Sequence, residues 1–176
     1  MLELKPMNQD MYNNYIKNSI QHYAEEIAKS RGIDFDKALQ LTNEEFNTLL
    51  PEGLKSQNQF LNVIINDKNE KIGFMWFSTE SNHGDNEAFL CDIEINKEYR
   101  GKGYGRESMK LLESKIKEFN LGSICLHVFL RNEIACTLYN KIGYQEIKRG
   151  KAGVLMRKTL DETNCPSTTI IFSSPR

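Results

Sequence analysis

Apolar residues in the first third of the chain recur at three- and four-residue steps, which is the spacing of one face of an α-helix. The first such face consists of Tyr12, Ile16, Ile20, Tyr23 and Ile27. It predicts a helix that ends near Arg31-Gly32, and a second helix is predicted from about Asp34 to Leu50. Thr42 and Glu45 have the spacing of a capping box, so the second stretch forms either one helix or two shorter helices.

Short runs rich in β-branched and aromatic residues follow, and such runs are typical of strands. The runs Phe60 to Asn66 and Lys71 to Phe77 are separated only by polar residues, so they predict a β-hairpin. The polar stretch from Thr79 to Asn86 predicts a loop. A third strand is predicted from Glu87 to about Ile95.

The pattern beyond residue 105 alternates between helix and strand. Met109, Leu112, Ile116 and Phe119 form the buried stripe of an amphipathic helix. The other predicted elements are a strand from Ser123 to Phe129, a short helix between Asn132 and Gly143, and a hairpin of Tyr144 to Arg149 with Val154 to Leu160. Helices, antiparallel strands and one strand-helix-strand crossover together predict a mixed α/β domain.

The composition is that of a globular protein, with 39% apolar and 27% charged residues. A chain of 176 residues is expected to form one domain, which we assign to residues 1–160. Residues 161–176 are rich in Ser and Thr and show no periodicity. We therefore predict a disordered or loosely coiled tail, or an extension introduced by cloning, with no assigned function.

Charge, apolar runs and cysteine spacing exclude several classes of function. The 23 basic and 24 acidic residues leave a net charge of -1, so the chain has no general attraction for nucleic acid or an anionic bilayer. No apolar run approaches the roughly 20 residues that span a bilayer, and no signal peptide precedes the first helix, so we expect a cytoplasmic protein. Cysteine pairs of the CxxC type are absent, so we expect no metal site and reduced, structural thiols at Cys91, Cys125, Cys136 and Cys165.

A glycine-rich turn connects the third strand to the amphipathic helix. Its sequence is Arg100-Gly101-Lys102-Gly103-Tyr104-Gly105, and Arg106 follows. Glycine lets the backbone adopt a positive φ and approach a ligand, while the unpaired N–H groups of a first helical turn attract an anion. The turn therefore predicts a phosphate site, with local positive charge from Arg100, Lys102 and Arg106. On these residues alone, a plain connection between strand and helix is the alternative.

Two well-known phosphate loops do not fit this turn. The Walker A loop requires Ser or Thr after Gly-Lys, but Gly103 follows Gly101-Lys102. The dinucleotide fingerprint requires GxGxxG, whereas Gly101, Gly103 and Gly105 alternate as GxGxG. ATP and NAD are thus disfavoured as ligands.

A second motif on the short helix makes a family resemblance usable. Arg100-x-x-Gly103-x-Gly105, followed later by Asn132-x-x-Ala135-x-x-x-Tyr139-x-x-x-Gly143-Tyr144, resembles the GNAT superfamily of acetyltransferases. The resemblance covers about residues 60–160, and within the family it is greatest to small bacterial proteins of the YycN type. It implies the GNAT fold, a central, mostly antiparallel mixed sheet of six to seven strands with a splayed parallel pair and about four helices.

The resemblance also implies acetyl-CoA as co-substrate. Pantetheine would pair with backbone groups of the third strand, the pyrophosphate would meet main-chain N–H groups of the glycine-rich turn, and the short helix would flank the thioester. The implied binding residues are Ile93, Ile95, Arg100, Gly101, Lys102, Gly103, Tyr104, Gly105, Arg106, Asn132, Ala135 and Tyr139.

Transfer of an acyl group to an amine requires a group that removes a proton from the amine and one that protonates the leaving thiolate. Tyr139 is the candidate general acid, since the family places that role there. The alternative is a packed tyrosine whose hydroxyl is catalytically silent.

For the base, Glu94 is the first candidate, and Asp92 lies two residues away on the same face of the strand. Glu87 is a third candidate. His127 lines the acceptor cleft in one interpretation and is hydrogen-bonded scaffold in the other.

The sequence therefore predicts an N-acetyltransferase that moves the acetyl group of acetyl-CoA to a primary amine by direct attack in a ternary complex. The acceptor is a small amine or a protein or peptide amine, with no nucleic-acid or membrane partner, and a homodimer stays open. A non-catalytic coenzyme A-binding or regulatory module is the alternative. An RNA- or nucleotide-binding domain using Arg100 and Lys102 is disfavoured by the neutral charge and by the lack of an aromatic-basic platform.

Overall fold

The computed structural model describes residues 1–160, which form seven strands and four α-helices. The strands are β1 (Glu3–Pro6), β2 (Gln59–Ile65), β3 (Lys71–Ser78), β4 (Glu87–Ile95), β5 (Ser123–Phe129), β6 (Gln145–Arg149) and β7 (Gly153–Thr159). The helices are α1 (Gln9–Arg31), α2 (Phe35–Leu49), α3 (Tyr104–Glu118) and α4 (Glu133–Lys141).

All seven strands belong to one sheet in the order β1-β2-β3-β4-β5-β7-β6. Every neighbouring pair is antiparallel except β4 and β5, which are parallel and are connected through α3. The predicted fold class, a mostly antiparallel mixed sheet with one parallel pair and about four helices, is confirmed. The assignment of residues 1–160 to one domain remains a prediction, and the predicted tail lies outside the described residues.

Both N-terminal helices begin and end where local chemistry favours it. Asn8 caps α1 by accepting a hydrogen bond from Met11 N at 2.9 Å, and Gly32 ends it in the left-handed conformation at φ 65°. Asp34 caps α2 in the same way. The hypothesis of two shorter helices is wrong, because Thr42 is buried inside a continuous α2 and its hydroxyl donates to Ala38 O.

The sequence pattern missed β1, a four-residue edge strand that pairs with β2. So short a segment has too few alternations to reveal a two-residue period, and Pro6 at its end is tolerated because the strand is at the edge.

Helices cover both faces of the sheet. Side chains along each strand point alternately to one face and to the other, and both faces carry apolar residues. On one face, Leu61 and Trp76 pack with residues of α1 and α2 such as Tyr15 and Phe46. On the other face lies a larger cluster that holds α3 and α4, with Ile64, Ile72, Met75, Phe77, Met109, Leu112, Ile116 and Tyr139. The parallel pair β4 and β5 lies between these layers.

Three of the four cysteines, Cys91, Cys125 and Cys136, carry free thiols, and Cys165 lies outside the described residues. Across residues 1–160, every helix is too short or too polar to cross a membrane.

Candidate active site

The parallel strands β4 and β5 are paired at their beginnings and separate afterwards. Their pairing runs from Glu87 opposite Ser123 to Leu90 opposite Leu126, although β4 continues to Ile95. A β-bulge at the point of separation makes Cys91 an extra residue, since Trp76 pairs with Asp92 and Phe77 with Leu90. Bulges bend a strand and increase its twist. The bulge thus coincides with the opening of a gap between the two strands.

Backbone groups of the second half of β4 face this gap. Asn96 N donates to Ile72 O of β3 at 2.8 Å. Because the direction of the peptide groups alternates along a strand, those of Ile93 and Ile95 point away from β3 and toward the gap. The hydrogen bond from Arg100 Nε to Ile95 O, 2.8 Å long, agrees with this direction.

The glycine-rich turn lies at the end of the gap and leads into α3. Gly101 and Gly103 have φ values of 74° and 85°, and Gly103 is the N-cap of the helix. A Cβ atom at either glycine would meet no atom within 4 Å, so the requirement for glycine comes from the backbone conformation alone. The N–H groups of Tyr104, Gly105 and Arg106 start the helix and have no acceptor within it. This group of N–H donors fits an anionic diphosphate.

The basic residues of the turn differ in their partners. Arg100 Nη2 lies 2.9 Å from Oε1 of Glu94, so this guanidinium folds back onto β4. Lys102 Nζ lies 5.5 Å from the centroid of the Tyr99 ring. Arg106 is exposed on the first turn of α3. Positive charge is therefore present around the N–H groups, and Glu94 neutralises part of it.

Helix α4 brings Tyr139 to the other side of the gap. Asn132 caps this helix by accepting a hydrogen bond from Ala135 N at 3.2 Å. Tyr139 is only 7% exposed, and its ring lies 5.7 Å from the ring of Tyr144. Its hydroxyl has no hydrogen-bond partner within residues 1–160. Burial, and then the nearby carboxylate of Asp92, raise the pKa of Tyr139, so the phenol is a protonated donor at neutral pH.

Asp92 is a carboxyl group in the gap whose pKa is raised. It is half-buried, and the hydroxyl of Tyr15 donates to its Oδ2 at 2.9 Å. Burial raises the pKa of Asp92 to about 6, and the negative charge of Glu94 adds to this, while the hydrogen bond from Tyr15 lowers it. A carboxyl group with this pKa is ionised at neutral pH and is a stronger base than an ordinary aspartate. Glu94, by contrast, is paired with Arg100.

The two other candidate bases have different environments. Glu87, only 2% exposed, is bound by Arg157 and by the hydroxyl of Ser81 at 2.7 Å. It lies at the paired beginning of β4, where it has the partners expected of a structural residue. His127 on β5 is exposed as a residue, but its imidazole is partly buried, and this partial burial and then the nearby His83 lower its pKa.

One large groove of about 1820 Å³ joins these residues to α1 and α2. It is lined by Asp92, Ile93, Glu94, Ile95, Arg100, Gly101, Tyr104, Gly105, His127, Asn132, Ala135 and Tyr139. The remaining predicted binding residues, Lys102, Gly103 and Arg106, belong to the rim of the turn and do not line the groove. Within residues 1–160 there is no group of three or more His, Cys, Asp or Glu side chains that could hold a metal ion.

The model of the Acetyltransferase (GNAT) family matches residues 25–144. The chain belongs to the GNAT family. This GNAT protein is 32% identical over 143 residues to the uncharacterized N-acetyltransferase YycN of Bacillus subtilis (strain 168), a match that covers 81% of this chain and 92% of YycN. The crystal structure of Bacillus subtilis YycN superposes with a TM-score of 0.79 at 30% identity and covers 85% of this chain and 96% of that one.

Two more distant structures share the GNAT fold. PaiA N-acetyltransferase from Thermoplasma acidophilum, in complex with coenzyme A, has a TM-score of 0.66 at 18% identity, covering 90% of this chain and 99% of its own. Spermidine N-acetyltransferase from Vibrio cholerae, in complex with CoA and spermine, has a TM-score of 0.63 at 19% identity, covering 90% and 95%. At these identities the similarity shows a shared fold alone.

Two features of this GNAT site were missed from the sequence. The bulge at Cys91 follows from the pairing of β4 with β3, which local patterns do not encode. Tyr15 lies three residues after Tyr12 and so belongs to the apolar face of α1, although the predicted face does not include it. The spacing from Tyr12 is the signal that could have identified this residue, which contacts Asp92 in the groove.

Proposed function

We propose that this protein transfers the acetyl group of acetyl-CoA to a primary amine by direct attack in a ternary complex. The observation that carries the proposal is that Asp92 of β4 and Tyr139 of α4 line the same groove. One side chain is a proton acceptor and the other a proton donor. Burial and then the charge of Asp92 raise the pKa of Tyr139, which supports an interaction between the two groups across the groove.

The proposed binding mode for coenzyme A uses main-chain donors first. The diphosphate lies at the N–H groups that begin α3, with Lys102 and Arg106 close enough to add positive charge. The pantetheine chain runs along Ile93 and Ile95, whose peptide groups face the gap. Its thioester end lies near Asn132, Ala135 and Tyr139. The complexes of two structural neighbours with CoA support a coenzyme A site in this fold.

The proposed chemistry assigns one proton to each side chain. Asp92 removes a proton from the ammonium form of the acceptor, and the resulting amine nitrogen forms a bond to the thioester carbon. As the carbon–sulfur bond breaks, Tyr139 donates its proton to the sulfur. The nitrogen then passes its second proton through solvent to the phenolate of Tyr139, and Asp92 releases its own proton to solvent, so that both side chains are restored and one proton is released overall. Glu94 is the second candidate for the role of Asp92.

The acceptor half of the groove lies beside α1 and α2. Glu25 of α1 and Glu45 of α2 line it, which supports an amine that is cationic before reaction. One structural neighbour is complexed with spermine, and a relative that is 28% identical is named for acetylating the alanine of ribosomal protein bS18. Both small amines and protein or peptide amines therefore belong in the substrate screen.

The test is a screen of small and peptide amines for release of the coenzyme A thiol, with calorimetry of CoA binding. We expect turnover by the unaltered protein and a loss of about a hundredfold in kcat for Asp92→Asn, with CoA affinity retained. If CoA binds but no amine is acetylated, the protein is the non-catalytic binding module instead. If CoA and its thioesters do not bind the folded protein, both functions are wrong.

A further inference from the structure

Tyr15 of α1 is buried against the sheet but directs its polar end at the groove. The side chain is 6% exposed, and its ring meets Phe74 edge-on with the centroids 4.5 Å apart. Its hydroxyl donates to Oδ2 of Asp92 at 2.9 Å, across 77 positions of sequence. A buried tyrosine that only filled space would leave its hydroxyl without a partner, at a cost in stability. Here the hydroxyl binds the carboxylate that lines the groove.

This contact fixes one oxygen of a carboxylate that has two. A carboxylate on a strand can rotate about χ2, because the wells of that torsion are broad. A hydrogen bond to Oδ2 from a ring that is itself packed on Phe74 restricts the rotation. The second oxygen, Oδ1, is then held in one orientation relative to the strand.

We propose that Tyr15 is a positioning residue for proton removal, which holds Oδ2 of Asp92 so that Oδ1 accepts the proton of the acceptor amine. The inference rests on the proposed function. It assigns α1, which the sequence predicted only as a helix with one apolar face, a part in the chemistry of β4.

Several titratable groups face Asp92 besides Tyr15. Burial has the largest effect on the pKa of Asp92 and raises it. The hydrogen bond from Tyr15 lowers this pKa because it stabilises the charged form, and it is the largest of the opposing effects. The other titratable groups that interact with Asp92 are His22 and Tyr23 of α1, Cys91 and Glu94 of β4, and Tyr139 of α4, and a backbone hydrogen bond from Ile93 also lowers the pKa of Asp92. Glu45 of α2 interacts with two of these groups, Tyr23 and Cys91.

The direction of the pH effect follows from this arrangement. Removal of the Tyr15 hydroxyl takes away the side-chain donor of the ionised carboxylate and leaves the backbone hydrogen bond from Ile93, so the pKa of Asp92 rises further in Tyr15→Phe. The acid limb of kcat/KM should move to higher pH by about one unit, the size of one hydrogen bond to a charged group. Above that limb the variant should stay below the wild-type rate, because Oδ1 of Asp92 is no longer held in one orientation. A purely structural role would lower the rate equally at every pH.

Tyr12→Phe is the matched control. Tyr12 is on the same helix one turn earlier and lies beside Gly53 rather than Asp92. Tyr12→Phe also loses one phenolic hydroxyl group. The acid limb of its kcat/KM profile should coincide with that of the wild type.

A second measurement does not depend on turnover. In protein labelled with 13C at the aspartate carboxyl carbons, the resonance that disappears in Asp92→Asn reports the titration of Asp92. Its midpoint should rise in Tyr15→Phe and stay unchanged in Tyr12→Phe. An unchanged midpoint in Tyr15→Phe, with the fold intact by circular dichroism, overturns the inference. Wild-type protein that binds CoA but acetylates no amine overturns the proposed function, while this midpoint still decides whether Tyr15 controls Asp92.

Discussion

Arg100 and Glu94 form an ion pair of 2.9 Å where β4 ends and the glycine-rich turn begins. The two side chains are 56% and 40% exposed, and exposed pairs contribute at most about 1 kcal/mol to stability. The pair therefore contributes little to the stability of the fold, and its main effect is that it engages both charged groups. Glu94 holds the guanidinium against the end of β4, and Arg100 holds the carboxylate that the sequence favoured as the base.

The first prediction separates the two carboxylates of β4. Glu94→Gln should change kcat by less than about threefold, because its carboxylate is neutralised by Arg100 and a glutamine can still accept from it. Asp92→Asn should lower kcat by about a hundredfold, as expected for loss of a general base. Steady-state kinetics with the best amine of the screen measures both.

The affinity for CoA adds a second readout to this pair. Glu94→Gln removes a negative charge near the proposed diphosphate site, so CoA should bind slightly tighter. A large loss of kcat in Glu94→Gln with Asp92→Asn active would reverse the assignment and return Glu94 to the role of base.

Local sequence was sufficient to predict most elements and the glycine-rich turn. The capping residues Asn8, Asp34 and Asn132 and the positive φ at Gly103 depend on a few neighbouring residues, so the sequence contains their signals. The hydrogen bond between Tyr15 and Asp92 joins residues 77 positions apart. It depends on how α1 packs across the sheet, which is decided by the whole fold.

The choice among three acidic residues of β4 also required the tertiary structure. Alternation placed Asp92 and Glu94 on one face, but it could not distinguish them, because Arg100 pairs with one and Tyr15 with the other. Glu87 looked equivalent in sequence, yet Arg157 of β7 binds it at the closed end of the strand pair.

The second prediction concerns Gly103→Ala. The residue adopts φ 85°, where alanine costs about 1 kcal/mol, and it precedes the N–H groups that would hold the diphosphate. We expect a small loss of stability and a loss of CoA affinity of at least about tenfold, measured by thermal unfolding and calorimetry.

Gly32→Ala is the control for backbone strain. Gly32 adopts φ 65° at the end of α1, and a Cβ atom added there would meet no atom within 4 Å, as at Gly103. The variant should lose similar stability and keep its CoA affinity. Equal affinities of the two variants would contradict the assignment of the turn to the diphosphate.

The third prediction compares two neighbouring tyrosines. Tyr139→Phe should lower kcat by about a hundredfold with little effect on stability, because within residues 1–160 the hydroxyl has no hydrogen bond to lose. Tyr144→Phe should keep its activity and gain about 1 kcal/mol of stability, because its buried hydroxyl lacks a partner among the described residues. Kinetics and urea unfolding of both variants test this. Equal activities would make Tyr139 a packing residue.

The fourth prediction addresses the loop of residues 79–86. Arg157 binds the buried carboxylate of Glu87 and donates to His83 O at 2.7 Å, so it ties the loop to β7. Arg157→Met should destabilise the protein by about 3 kcal/mol, because it leaves a buried charge unpaired. Ser81 and His83 line the groove, so KM for the amine should also rise. The double variant Glu87→Gln, Arg157→Met should recover much of the stability in urea unfolding, and a further loss would contradict this account.

The fifth prediction follows from the raised pKa of Asp92, about 6 against an ordinary value of 3.8. Between these values the folded state binds more protons than the unfolded state, so this group lowers the stability of the wild type as pH rises from about 4 to 7. A difference of about two pH units corresponds to at most about 3 kcal/mol. Asp92→Asn lacks this loss, so it should become progressively more stable than the wild type over that range.

Urea unfolding of both proteins at several pH values measures the difference, and Asp67→Asn in the exposed turn between β2 and β3 is the matched substitution. Asp92→Asn should thus combine its about hundredfold lower kcat with a higher stability than the wild type at neutral pH, since a carboxylate kept basic by burial opposes folding. A stability difference that stays constant from pH 4 to 7 would mean that Asp92 titrates normally, and the argument for it as the base would lose its energetic support.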